Sequence, residues 1–154
     1  MAEPKPTIPN RLIDYAAFLE NARQTQPVRE SRRLTEDGFL RMMSESGVVI
    51  LDARSAEKFR LRHIRGAINL SLPDFTEEEL AKVIPGKNTK VLIYCNNNFE
   101  GSQRAFPGKT AAVALNLSTF STLRAYGYTN VYELGPLLHV GTTKIPFSGT
   151  EVSK

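Results

Sequence analysis

The chain has 154 residues, 41% hydrophobic and 23% charged, with a formal net charge of +4, which suits a folded domain with its own core and excludes a disordered polymer. One cysteine excludes an internal disulfide, and with only two histidines, His63 and His139, no thiolate-based zinc site can be assembled. No apolar run is long enough to span a membrane, and the basic residues, densest in "VRESRR" (28–33), are interleaved with acids and accompany no nucleic-acid motif.

Residues 1–9, "MAEPKPTIP", read as an extended lead of the kind a processed, exported protein has, with a cytoplasmic chain as the alternative. "NRLIDYAAFLENARQT" follows with a ragged helical stripe and Asn10 as its cap, and "QPVRESRR" is expected to break it. "LTEDGFLRMMSESG" predicts a short helix capped by Thr35, with Glu36 and Asp37 in the first turn and Gly47 at the stop. "VVILDA" (48–53) is a continuous β-branched run ending in an acid, the pattern of a buried parallel strand. "SAEKFRLRH" predicts a short helix and "GAINL" (66–70) a strand, while Thr76 and Glu79 form a capping box for a helix over "FTEEELAKVI". "KVLIYC" (90–95) and "NVYEL" (130–134) are two further strands, separated by a helix expected to be capped by Ser118 and closed by Gly127.

Strands alternating with short helices predict an α/β domain with a mainly parallel central sheet, preceded by an N-terminal helical extension. The expected division is an extension over 1–33, the domain over 34–141 and a C-terminal tail over 142–154. In such sheets ligands bind beyond the carboxyl ends of the strands, which is where Cys95 stands. Asn96, Asn97, Asn98 and Gly101 can adopt the left-handed conformations of an N–H nest, and such a nest would stabilise a thiolate. Buried cysteine as a small hydrophobe, beside an ordinary Asn-Gly turn, is the equal alternative from this stretch alone.

"LDARSAEKFRLRHIRGAINL" (51–70), "VLIYC" and "YGYTNVYELG" resemble, in that order, the motifs of rhodanese-like domains, the sulfurtransferase family, over about residues 34–138. The resemblance implies that Cys95 is the catalytic nucleophile. It would take a sulfane sulfur from a donor such as thiosulfate, hold it as a persulfide and pass it to a thiol or cyanide acceptor. It also implies structural work near the site for Asp52, Arg54 and His63, with Arg54 paired to Glu57 as one possibility. No cofactor and no metal are implied. The partners expected are a small sulfur-containing substrate or a protein thiol acceptor, with a monomer as the default.

The segment after Cys95 departs from the family pattern, in which a short loop leads past a basic residue straight into a helix. Here residues 96–117 intervene before Ser118, which leaves open whether the helix N-terminus points at the sulfur. Asn96, Asn97, Asn98, Phe99, Gly101, Arg104 and Lys109 are the substrate-binding candidates in that segment, with Arg104 or Lys109 as the anion's basic partner. His139 is a candidate base approaching Cys95. A binding or regulatory module with little catalysis is the alternative function. Phosphatase chemistry would require an arginine where Gly101 stands, and reading "GKT" (108–110) as a P-loop would require a glycine at Gln103.

Overall fold

Short aliphatic runs that are apolar on both faces become strands covered from both sides, because only there is all their surface removed from water. The computed structural model describes residues 3, 4 and 7–152; the remainder of the expected lead (1, 2, 5 and 6) and the last two residues of the tail, 153 and 154, lie outside the described residues. In chain order the elements are α1 (Tyr15–Glu30), β1 (Arg33–Leu34), α2 (Glu36–Met43), β2 (Val49–Asp52), α3 (Ala56–Leu61), β3 (His63–Ile64) and β4 (Ile68–Asn69). They continue with α4 (Glu77–Val83), β5 (Val91–Tyr94), β6 (Phe99–Glu100), α5 (Leu115–Ala125), β7 (Val131–Leu134), β8 (Leu138–His139) and β9 (Phe147–Ser148). Five strands form one parallel sheet in the order β1-β7-β5-β2-β4, so β5 lies at its centre. Every residue of β2 and β5 is buried.

The pleat sends alternate residues to opposite layers. Val49, Leu51, Val91, Ile93 and Val131 meet Leu80 of α4 and Phe120 and Leu123 of α5 on one face. Ile50, Leu92, Tyr94 and Leu134 meet Phe39 of α2, with Phe99, Phe106, Ile145 and Phe147, on the other. The expected caps at Thr35 and Thr76 are in place, each hydroxyl oxygen accepting from the third residue on, Gly38 and Glu79.

Expectations for two helices are corrected. α1 begins at Asp14, whose carboxylate accepts from the Ala17 N–H, rather than at Asn10, and it runs through Pro27 to Glu30 instead of breaking at 26. An interior proline costs a helix about 3 kcal/mol. Here that is offset beyond the proline: Val28 packs on the core, and the Arg29 guanidinium grips buried Glu133 of β7 at 2.5 and 2.6 Å. α5 begins at Leu115 rather than after Ser118, and its cap residue, Ala114, brings no side-chain acceptor. Residues 96–114, between Cys95 and α5, carry structure of their own. Phe99, Ala105 and Phe106 are buried, and the Phe99 ring sits 4.9 Å from Phe106 and 5.0 Å from Phe147. This excursion plugs one face of the sheet, β6 pairing in parallel with β8. The chain after 141 completes the same layer, with β9 antiparallel to β3 and Ile145 and Phe147 buried.

Candidate active site at the end of the central strand

Cys95 follows directly on β5, flanked by β2 and β7, and is only 2% exposed. Its backbone is extended, and Asn96–Asn98 form a single 3-10 turn after it. Among the described residues no non-glycine has a positive φ, so the asparagine run does not build the left-handed nest expected of it. The N–H groups come from elsewhere. Main-chain N–H groups of Asn97, Asn116 and Leu115 hydrogen-bond toward the sulfur, the last two from the first turn of α5. This explains why α5 has no side-chain cap: Cys95 Sγ occupies the place of one. The helix N-terminus therefore does point at the sulfur, despite the long intervening segment.

Asn97 closes that segment. Its carboxamide accepts from the Lys109 N–H at 2.8 Å and donates to the Lys109 carbonyl at 2.9 Å, so the chain leaves and rejoins the cradle at one point. With its N–H spent on Asn97, Lys109 does not offer "GKT" as a phosphate loop. Arg54 anchors the excursion from beneath. Nη1 donates to the Ala105 carbonyl at 2.6 Å, the guanidinium lies 4.3 Å over the Phe106 ring, and Nη2 reaches the Arg62 carbonyl at 2.7 Å. The ion-pair partner of Arg54 is Asp52, at 2.6 Å, rather than Glu57, which is exposed. Burial works against the Arg54 charge, and the Asp52 carboxylate outweighs it, holding the guanidinium above its ordinary value. Asp52 also accepts from the Tyr94 hydroxyl.

A cleft of about 390 Å³ opens beside the cysteine, lined among others by Arg54, Ser55, Lys58, Asn96, Lys109 and Leu115. A second, of about 380 Å³, lies on the other side of the excursion, with Asn96, Asn97, Phe99, Gly101 and Lys109 in its wall. Asn98 is buried and bound to protein groups, and Arg104 is exposed and lines neither cleft. His63 stacks on Phe59 at 3.8 Å, with Nδ1 2.7 Å from the Phe59 carbonyl. His139 is exposed; its Nδ1 accepts from the Gly141 N–H at 2.9 Å, and its ring lies against Gly101 rather than at the thiol. Lys58, Leu115 and Asn116 were not singled out from the sequence. The one signal for Lys58 was its place on the short helix after Asp-x-Arg, and for the other two the apolar run "AAVALNL" leading into a helix without a polar cap.

The thiol is pushed above its ordinary range. Burial is the main cause; the N–H groups of Asn97 and Asn116 oppose it, the charge of Glu133 adds to it, and the Leu115 N–H opposes it again. At neutral pH the resting group is the protonated thiol. The arrangement is that of a buried thiol whose anion, once formed, is met by three convergent donors.

Known proteins place this geometry in a family. The rhodanese-like domain model matches residues 35–135. The chain is 28% identical over 95 residues to the thiosulfate sulfurtransferase PspE of Escherichia coli, covering 62% of this chain and 76% of that protein. The crystal structure of the BH2092 protein from Bacillus halodurans superposes with a TM-score of 0.55 at 16% identity, covering 86% of this chain and 88% of that one. The Alr3790 protein from Anabaena superposes with a TM-score of 0.53 at 20% identity, over 75% and 91% of the two chains. The parallel sheet, the cysteine at the end of its central strand and the matched span agree: this chain belongs to the rhodanese-like domain family.

Proposed function

We propose that the protein is a sulfurtransferase in which Cys95 carries sulfane sulfur as a persulfide. The Cys95 thiolate attacks the outer sulfur of an anionic donor such as thiosulfate. A bond forms between Sγ and that sulfur, the donor's own S–S bond breaks, and sulfite leaves with the electron pair. A thiolate acceptor or cyanide then attacks the carried sulfur, the Sγ–S bond breaks, and Cys95 is returned as the thiolate. The observation that carries this reading is the convergence of the Asn97, Asn116 and Leu115 N–H groups on one sulfur, since both thiolate and persulfide are anions that such donors stabilise. Lys58 and Lys109 give the adjoining cleft a basic wall suited to an anionic donor, Asn96 shares that wall, and Asn97 lines the second cleft with Asn96 and Lys109. Thiosulfate is carried over from the name of the Escherichia coli relative.

The burial of the thiol favours a second reading, a rhodanese-like module that binds a partner without turning over sulfur. One experiment separates the two. The protein is incubated with thiosulfate, polysulfide and an organic persulfide and weighed intact. Gain of one sulfur, removed by reductant and lost in Cys95→Ser, is the expected result, faster at pH 9 than at pH 7 because the thiolate fraction grows. No adduct from any donor, at either pH, overturns the sulfurtransferase reading and leaves the binding module.

A further inference from the structure

Asn98 lies three residues past Cys95, where the excursion departs, and is 4% exposed. A carboxamide has two N–H donors and an oxygen with two lone pairs, and Asn98 uses all of them. Its Oδ1 accepts from the Cys95 N–H at 2.9 Å and from Asn116 Nδ2 at 2.9 Å. Its Nδ2 donates to the Leu134 carbonyl at 2.9 Å and to the Pro136 carbonyl at 3.0 Å. The four partners belong to the cysteine, the first turn of α5, the end of β7 and the turn after it. Asn98 thus ties the cysteine at once to α5 and to the end of β7.

In a short loop the main chain itself couples the cysteine to the helix behind it. Here residues 96–114 intervene, and the clamp of Asn97 on Lys109 fixes where the chain returns without setting how α5 faces the sulfur. The Asn98–Asn116 bond does set it, because Asn116 is also one of the residues whose main-chain N–H meets Sγ. The chemistry of the node is narrow. Aspartate would turn a second oxygen toward two carbonyls, leucine would orphan four buried polar groups, and glutamine would displace the amide by one methylene.

We propose that Asn98 is a positioning residue for Cys95, holding the first turn of α5 against the sulfur so that the Leu115 and Asn116 N–H groups meet its anion across the inserted segment. The inference deepens the sulfurtransferase reading and rests on it for its purpose, while its geometry can be tested separately. The charged groups around the sulfur are Glu133 of β7, held by Arg29 of α1, and Arg54, Lys58 and Lys109 along the cleft; none of them changes when Asn98 is replaced.

The single cysteine allows a direct readout: protein labelled with [13Cβ]cysteine gives one signal, whose shift is followed against pH. In Asn98→Ala the Cys95 midpoint is expected to rise by about one unit, a roughly tenfold smaller thiolate fraction at neutral pH. Thr76→Ala, which uncaps α4 away from the site, is expected to lower the melting temperature and leave the midpoint unchanged. A folded Asn98→Ala protein with the parental midpoint would overturn the proposal. Should that variant not fold, Asn116→Ala decides. It removes one hydrogen bond and also the buried Asn116 Oδ1, which has no partner, so it costs little stability. A midpoint raised by about half a unit, a roughly threefold smaller thiolate fraction at neutral pH, supports the proposal, and an unchanged one overturns it. If the parent protein takes up no sulfur from any donor, the sulfurtransferase reading fails, and the cysteine titration still decides the role of Asn98.

Discussion

Arg54 shows how one buried side chain can hold several segments of a site together. Its guanidinium joins Asp52 of β2, the Arg62 carbonyl after α3 and the Ala105 carbonyl inside the excursion, and it lies across the Phe106 ring. A planar fork of five donors can do this, and a lysine ammonium on a flexible stem cannot. Arg54→Lys should therefore cost about 3 kcal/mol, mainly through two orphaned buried carbonyls and a poorly held Asp52 carboxylate. Urea unfolding measures the loss. Limited proteolysis should place new cleavage between residues 99 and 109, and an unchanged cleavage map would contradict the anchoring role. Gly101 is the second residue-scale constraint. Its φ is +94°, and an added Cβ would lie 2.7 Å from His139 Cε1 and Nε2. Gly101→Ala is expected to cost about 1–2 kcal/mol. Adding His139→Ala should recover the steric part and leave the backbone part, which a double-mutant cycle separates.

Among the elements, α1 is attached most specifically. One of its faces packs on α5, where Asn21 Nδ2 donates to the Ser121 carbonyl at 2.9 Å, the other leaves Tyr15, Phe18 and Leu19 exposed, and its last turn adds an ion pair to the sheet. There Arg29 meets Glu133, which is 2% exposed and sits on β7 opposite Ile93 of the central strand. Arg29→Ala strands a buried carboxylate and should destabilise the protein by about 3 kcal/mol, with hydrogen exchange in α1 rising more than in α2. Equal changes in both helices would mean that the pair supports the whole fold rather than the docking of α1. Glu133→Gln removes a charge that raises the Cys95 thiol. The cysteine titration should then move to lower pH, and a shift in the opposite direction would refute the electrostatic assignment.

At the scale of the whole molecule the consequence is a pH limit. The Tyr94 phenol, fully enclosed, is pushed well above its ordinary value by burial and by the Asp52 charge, and burial raises the Cys95 thiol as well. Each group keeps its proton in the folded state at pH values where the unfolded chain has released it. Their contribution to stability is therefore present below about pH 8.5 for the thiol and about pH 10 for the phenol, and it declines as pH rises past those values. Unfolding midpoints measured from pH 7 to pH 11 should fall above about pH 9. The fall should be smaller in Cys95→Ser, which keeps only the tyrosine part. A midpoint independent of pH over that range would mean that neither group is protonated by the fold.

Much of the architecture was legible because its causes are local. Runs such as 48–53 and 90–95 are apolar on both faces, so they can only be interior strands, and their alternation with capped helices at Thr35 and Thr76 implies a parallel sheet. A cysteine ending such a strand stands where these sheets gather ligands, so Cys95 was recognisable before any partner was known. The partners themselves were not. Leu115 and Asn116 carry no donor signature, since what they present to the sulfur is main chain, which every residue has. Ser118 carries a polar cap signature, whereas α5 starts at Leu115 behind Ala114, because the acceptor there is a sulfur distant in sequence. Pro27 read as a break because local propensity cannot register the contact of Arg29 with β7. Composition and periodicity thus determined the layers and the parallel character of the sheet, while the family resemblance, rather than either of them, marked Cys95 as the candidate nucleophile. Only the tertiary structure decided that residues 96–114 fold into the core and return α5 to the cysteine, because those choices rest on pairings such as Asn98–Asn116, Asn97–Lys109 and Arg54–Ala105 between segments far apart in the chain.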